Sequence, residues 1–350
     1  MAASTFKILN EDDIVSTRTL LHEAIPLTGT IVSGTYADAN INNPSHGMFQ
    51  SVYDYPYLSS SANHIFDITF GVGANSAIYS SVTSQKQKKE NIYNQMSQLL
   101  MGYNTDGSIL ELDEDGNILA GGTKIRDAVF FPFSRLLVKD EIKKGTFTMS
   151  LGVTQNDETP FTTTVNVTDA SGSDGYFVNS PVGEYGILFA GDGTGTPLAT
   201  DNVPCGLLFY QAGIAVLTSS VFQSLLSVDC HMNAANNSLS DLLTGSTVQT
   251  TANSIRQRID NIQFNNTTEL NSTIYFCRIN HNEFNYSTNP TYVDSSKIRV
   301  KTNSTDEPVS YITTIGLYSD KNELMAVAKL SEPLKKTPST EFTIRARLDY

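Results

Sequence analysis

The last ten residues of the chain, 341–350, constrain its fold more than any other segment. Apolar and polar side chains alternate strictly there, and a period of two predicts a half-buried β-strand. Because chain ends fray unless a sheet holds them, this pattern also predicts a packed C-terminus, which suits a building block of an assembly. The apolar positions, which we expect on the core-facing side, are Phe342, Ile344, Ala346, Leu348 and Tyr350.

A β-hairpin is predicted immediately before this strand. Two strand-like runs, 309–318 and 323–330, flank residues 319–322. The Ser, Asp, Lys and Asn side chains of that short connection favour a turn. Residues 309–350 are therefore predicted to be β structure throughout.

Composition limits the classes of partner. The chain has 350 residues, enough for a sizeable core and for two or three subdomains, and only 17% of them are charged. The formal net charge of −13 argues against a nucleic-acid partner, which requires a basic face. No apolar run approaches the roughly 18 residues of a membrane-spanning helix, so no membrane partner is predicted.

The cysteines and the N-terminus favour synthesis in a reducing cytoplasm. Cys205, Cys230 and Cys277 are odd in number, widely spaced and without a CxxC pair, which is typical of buried free thiols. The first residues show no apolar core of a signal peptide, and acidic residues follow at 11–13.

The clearest helix signal covers residues 84–102. Its apolar residues recur at the spacing of one helical face, and Gly102 stands near its end. The pattern predicts a long amphipathic helix whose stripe packs on the core. The stripe consists of Ile92, Met96, Leu99, Leu100 and Tyr103.

The predicted fold class is α+β with β dominant. A strand is predicted at 63–73 and further strands over 146–215, with short helices between 219 and 261 and a helical stripe at Ile255, Ile259 and Ile262. This order predicts three parts: a mixed framework over 1–145 with the long helix, an inserted all-β subdomain over 146–215, and a second framework part over 216–350.

No motif for catalysis, cofactor binding or metal binding stands out. The five histidines lack metal-ligand spacing, and Gly-x-Ser-x-Gly is absent. The acidic run at 113–117 has Asp residues like a calcium loop, but it lacks the downstream Glu and the flanking helices, so an Asp-Gly hairpin turn is favoured. The prediction is a protein without catalytic, cofactor or metal residues.

One aromatic cluster is unusual. Tyr53, Tyr55, Pro56 and Tyr57 form a stiff, tyrosine-rich segment, which offers the rigid amphipathic area common in protein interfaces. An ordinary aromatic turn packed on its own core is an equally good interpretation.

Several stretches resemble a known class of proteins: residues 45–67, 136–145, 277–287 and 309–350. In these the chain resembles virion structural proteins of contractile-tailed, T-even-like bacteriophages, including phages of marine bacteria and cyanobacteria. The resemblance implies a non-enzymatic component of the virion tail, in particular a baseplate wedge subunit, made in the host cytoplasm. A neck or collar protein, a receptor-binding fibre or adhesin, and a virion-associated hydrolase are the alternatives.

A virion component would act through repeated contacts with other tail, baseplate or neck proteins and with copies of itself. The predicted interface residues are Tyr53, Tyr55, Pro56, Tyr57, Phe342 and Tyr350, together with the extended N-terminus. For the C-terminal strand the hypothesis is addition to the sheet of a neighbouring subunit.

Overall fold

Strands dominate the protein. The computed structural model describes residues 6–27, 38–78, 84–116, 123–153, 161–162, 164–191, 203–222, 246–285, 293–294, 297–298, 305 and 307–350. The chain divides into two compact units, a larger one of Leu21–Thr268 and a smaller one that combines Met1–Leu20 with Glu269–Tyr350. The predicted β-dominant class is confirmed.

The strands are named here in chain order. In the first part of the chain they are β1 (Ile14–Pro26), β2 (Ile41–Asn42), β3 (Gln50–Tyr53), β4 (His64–Val72), β5 (Leu112–Asp113), β6 (Lys124–Ile125), β7 (Asp127–Pro132) and β8 (Glu141–Ile142). They continue as β9 (Thr148–Gly152), β10 (Thr164–Thr168), β11 (Phe177–Ser180), β12 (Gly183–Gly191), β13 (Val203–Phe209), β14 (Ile214–Thr218) and β15 (Ile259–Ile279). The last are β16 (Val293–Asp294), β17 (Lys297–Ile298), β18 (Ser310–Tyr318), β19 (Leu324–Lys336) and β20 (Phe342–Asp349).

Helices are few in the described residues. The α-helices are α1 (Ser84–Leu100), α2 (Arg135–Val138) and α3 (Val248–Arg256). Short 3-10 turns lie at Glu11–Asp13, Asp38–Asn40 and Ser219–Phe222. Within this part of the chain, no helix has the combination of length and apolar character that crossing a membrane requires.

An antiparallel sheet forms the larger unit. Its strand order is β1-β15-β9-β10-β12-β13-β14-β7-β4-β3-β2, with β8 also paired to β15 and β11 paired to β12. The strands of residues 146–215 therefore lie in the middle of this sheet, between β15 and β7. The predicted three-part division at 145 and 215 stays a prediction.

The middle of this sheet is buried on both faces. Along β7, Val129 and Phe131 join one hydrophobic cluster, whereas Ala128 and Phe130 join a second one. Helix α3 contributes to the first cluster and α1 to the second. Complete burial of one phenylalanine contributes about 1.5–3 kcal/mol, so these two-sided strands supply much of the core energy.

Helix α1 is present, but its predicted apolar stripe is wrong in part. Leu99 is 52% exposed and Tyr103 is 55% exposed, while Lys89 and Ser97 are fully buried. The buried face thus includes a lysine, whose Nζ donates to the Ser246 carbonyl at 2.9 Å and lies 5.5 Å from the Phe70 ring centre. Burial lowers the pKa of Lys89 to about 8. Periodicity could not reveal a buried cation, because such a position depends on a distant carbonyl.

A second correction concerns the helical stripe predicted after residue 250. Helix α3 begins after Thr247, whose hydroxyl accepts a hydrogen bond from the Thr250 backbone N–H at 3.2 Å. The helix ends at Arg256, and Ile259 and Ile262 lie in strand β15. Both isoleucines are buried in the first cluster, so the apolar residues were identified correctly but assigned the wrong local structure. Within the region 219–261 where short helices are predicted, residues 223–245 lie outside the described residues.

The smaller unit contains the C-terminal strand, and its predicted alternation is confirmed. Strand β20 pairs antiparallel with β15 in continuous register, from Ile279 opposite Phe342 to Ser272 opposite Asp349. Ile344 and Ala346 are buried, whereas Thr343, Arg345 and Arg347 are exposed. The predicted hairpin is also present, since β18 and β19 pair across the turn at 319–323.

The close approach of α1 to β4 gives a test of the packing. A Cβ atom added to Gly71 would lie 2.8 Å from the Tyr93 backbone nitrogen and 2.9 Å from its Cα. We expect Gly71→Ala to reduce the free energy of unfolding by about 1–3 kcal/mol, because the helix backbone must move. Chemical denaturation measures this loss.

Gly73→Ala is the matched control. Its added Cβ would meet the Tyr93 ring at 3.4 Å and the Arg126 carbonyl oxygen at 3.5 Å, which are ordinary contacts. We expect it to cost less than about 1 kcal/mol. Equal losses for the two variants would show that the helix does not press on β4 at Gly71.

Candidate protein-interaction surfaces

The predicted tyrosine cluster forms a partly exposed loop between β3 and β4. Tyr53 is half-buried at the end of β3, whereas Tyr55, Pro56 and Tyr57 are exposed. Leu58, which the sequence did not single out, is 93% exposed. The loop therefore presents two tyrosines and a leucine to solvent, so the core-packed interpretation holds only for Tyr53.

Asp54 holds this loop in one conformation. Its carboxylate accepts hydrogen bonds from the Tyr55 backbone N–H at 2.9 Å, from the Asn63 backbone N–H at 2.6 Å and from the Asn63 side-chain amide at 2.9 Å. The Tyr57 backbone N–H donates to the Ala39 carbonyl at 2.9 Å. Such bracing lowers the entropy that the exposed aromatics would lose on binding a partner.

Ring packing fixes the base of the same loop. The Tyr53 ring centre lies 5.0 Å from that of Tyr57 and 5.6 Å from the imidazole of His64. His64 Nε2 in turn lies 2.8 Å from a carboxylate oxygen of Asp67. Burial raises the pKa of Tyr53, with the neighbouring Tyr57 and Asp67 adding to the shift. The phenol stays protonated at neutral pH and acts as a neutral contact.

The hairpin of β18 and β19 is the most exposed apolar surface of the smaller unit. Met325 is 70% exposed and Val327 is 53% exposed, and Tyr318 packs edge-on against Phe6 with ring centres 5.0 Å apart. No side chain from 311 to 335 in this hairpin is fully buried. Because an isolated two-stranded hairpin is marginally stable in water, a surface of this kind gains stability from a partner.

The two predicted interface residues of the C-terminal strand lie at its opposite ends. Phe342 is half-buried, and Tyr350 is 74% exposed, so the prediction that Tyr350 faces the core is wrong. Its backbone nevertheless exchanges two hydrogen bonds with Asn271, at 2.8 and 3.0 Å, and its hydroxyl lies 3.1 Å from the Thr273 hydroxyl. The chain end is held by the backbone, and its side-chain hydroxyl reaches the central strand β15.

Strand β1 is part of the N-terminal segment, for which the sequence predicted only an extended conformation and a role as an interface. All but one of its residues are exposed, including Ile14, Val15, Leu20 and Leu21. Its apolar residues occur in pairs, Ile14-Val15 and Leu20-Leu21, so they do not alternate as they would in a half-buried strand. The occurrence of apolar residues in adjacent pairs was the only sequence feature that indicated exposure on both faces of β1.

A buried carboxylate is the most perturbed acid of the larger unit. The Asp169 carboxylate accepts hydrogen bonds from the backbone N–H groups of Gly145 at 2.7 Å and Phe147 at 2.9 Å. The Tyr210 hydroxyl donates a third hydrogen bond at 3.2 Å. Burial raises the pKa of Asp169 to about 6, although these donors oppose the shift. Every donor belongs to the chain itself, so the geometry indicates a structural brace of the turn at 143–147.

Other titratable groups are engaged in local contacts. Lys124 forms an ion pair with the buried Asp113. In a calcium loop, this carboxylate would have to bind the metal ion instead of a lysine. Burial raises the pKa of Cys205 and Cys277. Among the residues that the structure describes, no group of three His, Cys, Asp or Glu side chains has the arrangement of a metal site.

Searches of known protein families, curated proteins and solved structures with this chain found no match. The proposed role as a contact-forming protein therefore depends on the exposed surfaces of the two units.

The bracing role of Asp54 is testable by amide hydrogen exchange. Asp54→Ala removes the two carboxylate oxygens that accept three hydrogen bonds, so we expect faster exchange at the Asn63 and Tyr55 amides and a stability loss of about 1 kcal/mol. Asp54→Asn keeps one acceptor oxygen and should show a smaller change at the same amides. Unchanged exchange in Asp54→Ala would show that the loop is held by ring packing alone.

Asp169 predicts a pH dependence of stability. Its carboxyl pKa is raised to about 6 in the folded protein, compared with roughly 3.9 when unfolded, so the folded state binds more protons between these values. The contribution of Asp169 to stability is therefore fully present below pH 4 and is lost, by about 1–3 kcal/mol, as the pH rises through about 6.

Urea denaturation of wild type and Asp169→Asn across this range measures the effect. The free energy of unfolding of wild type minus that of Asp169→Asn should fall by about 1–3 kcal/mol as pH rises from 4 to 7, because Asn does not titrate. Asp174→Asn, at an exposed position nearby, controls for the loss of a charge. A difference that is constant from pH 4 to 7 would show that Asp169 is ionised throughout.

Proposed function

We propose that the protein is a non-enzymatic structural component of the virion of a contractile-tailed bacteriophage, most specifically a subunit of the tail baseplate wedge. It would act through repeated contacts with other tail proteins and with copies of itself. The assignment to a phage rests on the resemblance of residues 45–67, 136–145, 277–287 and 309–350. The assignment to a contact-forming protein rests on its surfaces.

The exposed hairpin of β18 and β19 is the observation that carries the proposal. It presents Tyr318, Met325 and Val327 on a two-stranded ribbon, without a buried side chain between residues 311 and 335. A freely diffusing enzyme gains nothing from such a ribbon, whereas a subunit that is covered by its neighbours does. The braced tyrosine loop is a second surface with the aromatic character of interface centres.

The organisation of polar groups agrees with this role. The buried Asp169 accepts three hydrogen bonds from its own chain, and Glu111, in the cleft beside Tyr93, pairs with Arg126 at 3.2 Å.

The direct test is the position of the chain in the particle. Purified virions analysed by mass spectrometry should contain the protein, and a cryo-EM map of the whole particle should place it in the baseplate. Density in the neck or collar would move the assignment there, and binding of the purified protein to host cells would favour a fibre or adhesin. Absence from purified virions would refute a structural role.

The hairpin itself can be tested by substitution. Val327→Glu places a charge on the exposed ribbon, so we expect unchanged thermal stability of the free protein but at least about tenfold less incorporation into particles. Val327→Ile keeps the apolar character and should be incorporated like wild type. Normal incorporation of Val327→Glu would show that this face stays uncovered in the virion.

A further inference from the structure

The smaller unit contains a three-stranded sheet with two open edges. Strand β15 lies in its centre, between residues 14–20 of β1 and strand β20. Ser16 and Thr273 contact each other through their hydroxyls at 3.1 Å on the β1 side, and Asn271 bonds to Tyr350 on the β20 side. No other strand in the described part of the chain pairs with β1 or with β20.

Backbone geometry shows which groups of β20 point outward. The backbones of Tyr350 and Asn271 exchange both of their hydrogen bonds, and the register continues without a shift to Phe342. In an antiparallel pair, bonded and non-bonded positions alternate. The N–H and C=O groups of Thr343, Arg345 and Arg347 therefore point away from β15, at the open edge.

This edge has few of the features that prevent strand addition. Proteins protect exposed edges with proline, bulges or charges. Strand β19 has Pro333 and an irregular register, whereas β20 has neither. Its protection consists of Arg345 and Arg347, and Arg347 already donates to Asp349 at 2.7 Å.

Charge disfavours the symmetric pairing of two β20 strands. If the β20 strands of two copies paired antiparallel with their middles aligned, every such register would place an arginine of one copy opposite an arginine of the other. Like charges directly opposite each other destabilise a strand pair. The β1 edge lacks this conflict, because its one cation, Arg18, is paired with Glu269, and the exposed Glu11 and Asp12 precede it.

The charge of the two units also favours contact through the smaller one. Residues 21–268 carry roughly twice as many acidic as basic residues, whereas the rest of the chain has nearly equal numbers. The larger units of two copies therefore repel each other.

We propose that the protein binds a second copy of itself head to tail, with the outer edge of β20 of one copy paired to the outer edge of β1, residues 14–20, of the next. This inference deepens the proposed structural function and rests on it. The contact is heterologous, so it continues into a ring or an open array instead of stopping at a dimer. It would cover Ile14, Val15 and Leu20, which are exposed in the single chain.

Proline at an outward position tests this pairing. Arg345→Pro removes one outward N–H and leaves the bonds between β20 and β15 in place, so the free chain should stay folded. Sedimentation velocity over a concentration series should show wild-type assemblies larger than two copies. Arg345→Pro should associate at least about tenfold more weakly.

Arg345→Ala is the matched control, because it removes the same charge but keeps the N–H, and it should still assemble. Circular dichroism and the Tm establish that each variant is folded, and Thr343→Pro removes a second outward N–H if Arg345→Pro is unfolded. A wild type that is monomeric at every concentration, or that stops at a dimer, would overturn the head-to-tail contact, as would normal assembly of both proline variants. A monomeric protein that is nevertheless present in purified virions would overturn this inference alone and leave the structural function intact.

Discussion

Hydrogen bonding along one long strand supports both units of the protein. Strand β15 runs from Ile259 to Ile279, pairs with β9 in the larger unit, and pairs with β20 in the smaller one. In the larger unit it lies between β1 and β9, in the sheet whose middle is buried on both faces. In the smaller unit it is the central strand between β1 and β20. The contacts of the C-terminus and of the N-terminal strand both depend on it.

The two units differ in how completely they bury their apolar residues. In the larger unit, strands such as β7 direct alternate side chains into two clusters, and even Lys89 is covered and bonded to a carbonyl. In the smaller unit, the hairpin of β18 and β19 and most of β1 leave their apolar side chains exposed. This exposure in the smaller unit is what supports the proposed contact-forming role.

Local patterns predicted local structure well where the neighbours in sequence decide it. Periodicity and turn residues predicted the final strand and the hairpin before it. A helix is present at Ser84–Leu100, but its predicted amphipathic character is not confirmed. The errors occurred where a distant partner decides. Ile259 and Ile262 fit a helical spacing, but pairing with β9 places them in a strand. Tyr350 fits the core face of its strand, but the structure leaves its side chain 74% exposed.

The candidate surfaces show the same division. The sequence by itself determined that residues 53–57 are aromatic and stiff, that the C-terminus is a strand, and that the chain is acidic. Only the tertiary structure decided that Asp54 braces the loop, that Leu58 and Val327 are exposed, and that β20 has an open edge. These properties depend on which strands become neighbours. Strand pairing joins residues far apart in the chain, and the spacing of residue types in a sequence does not specify those partners.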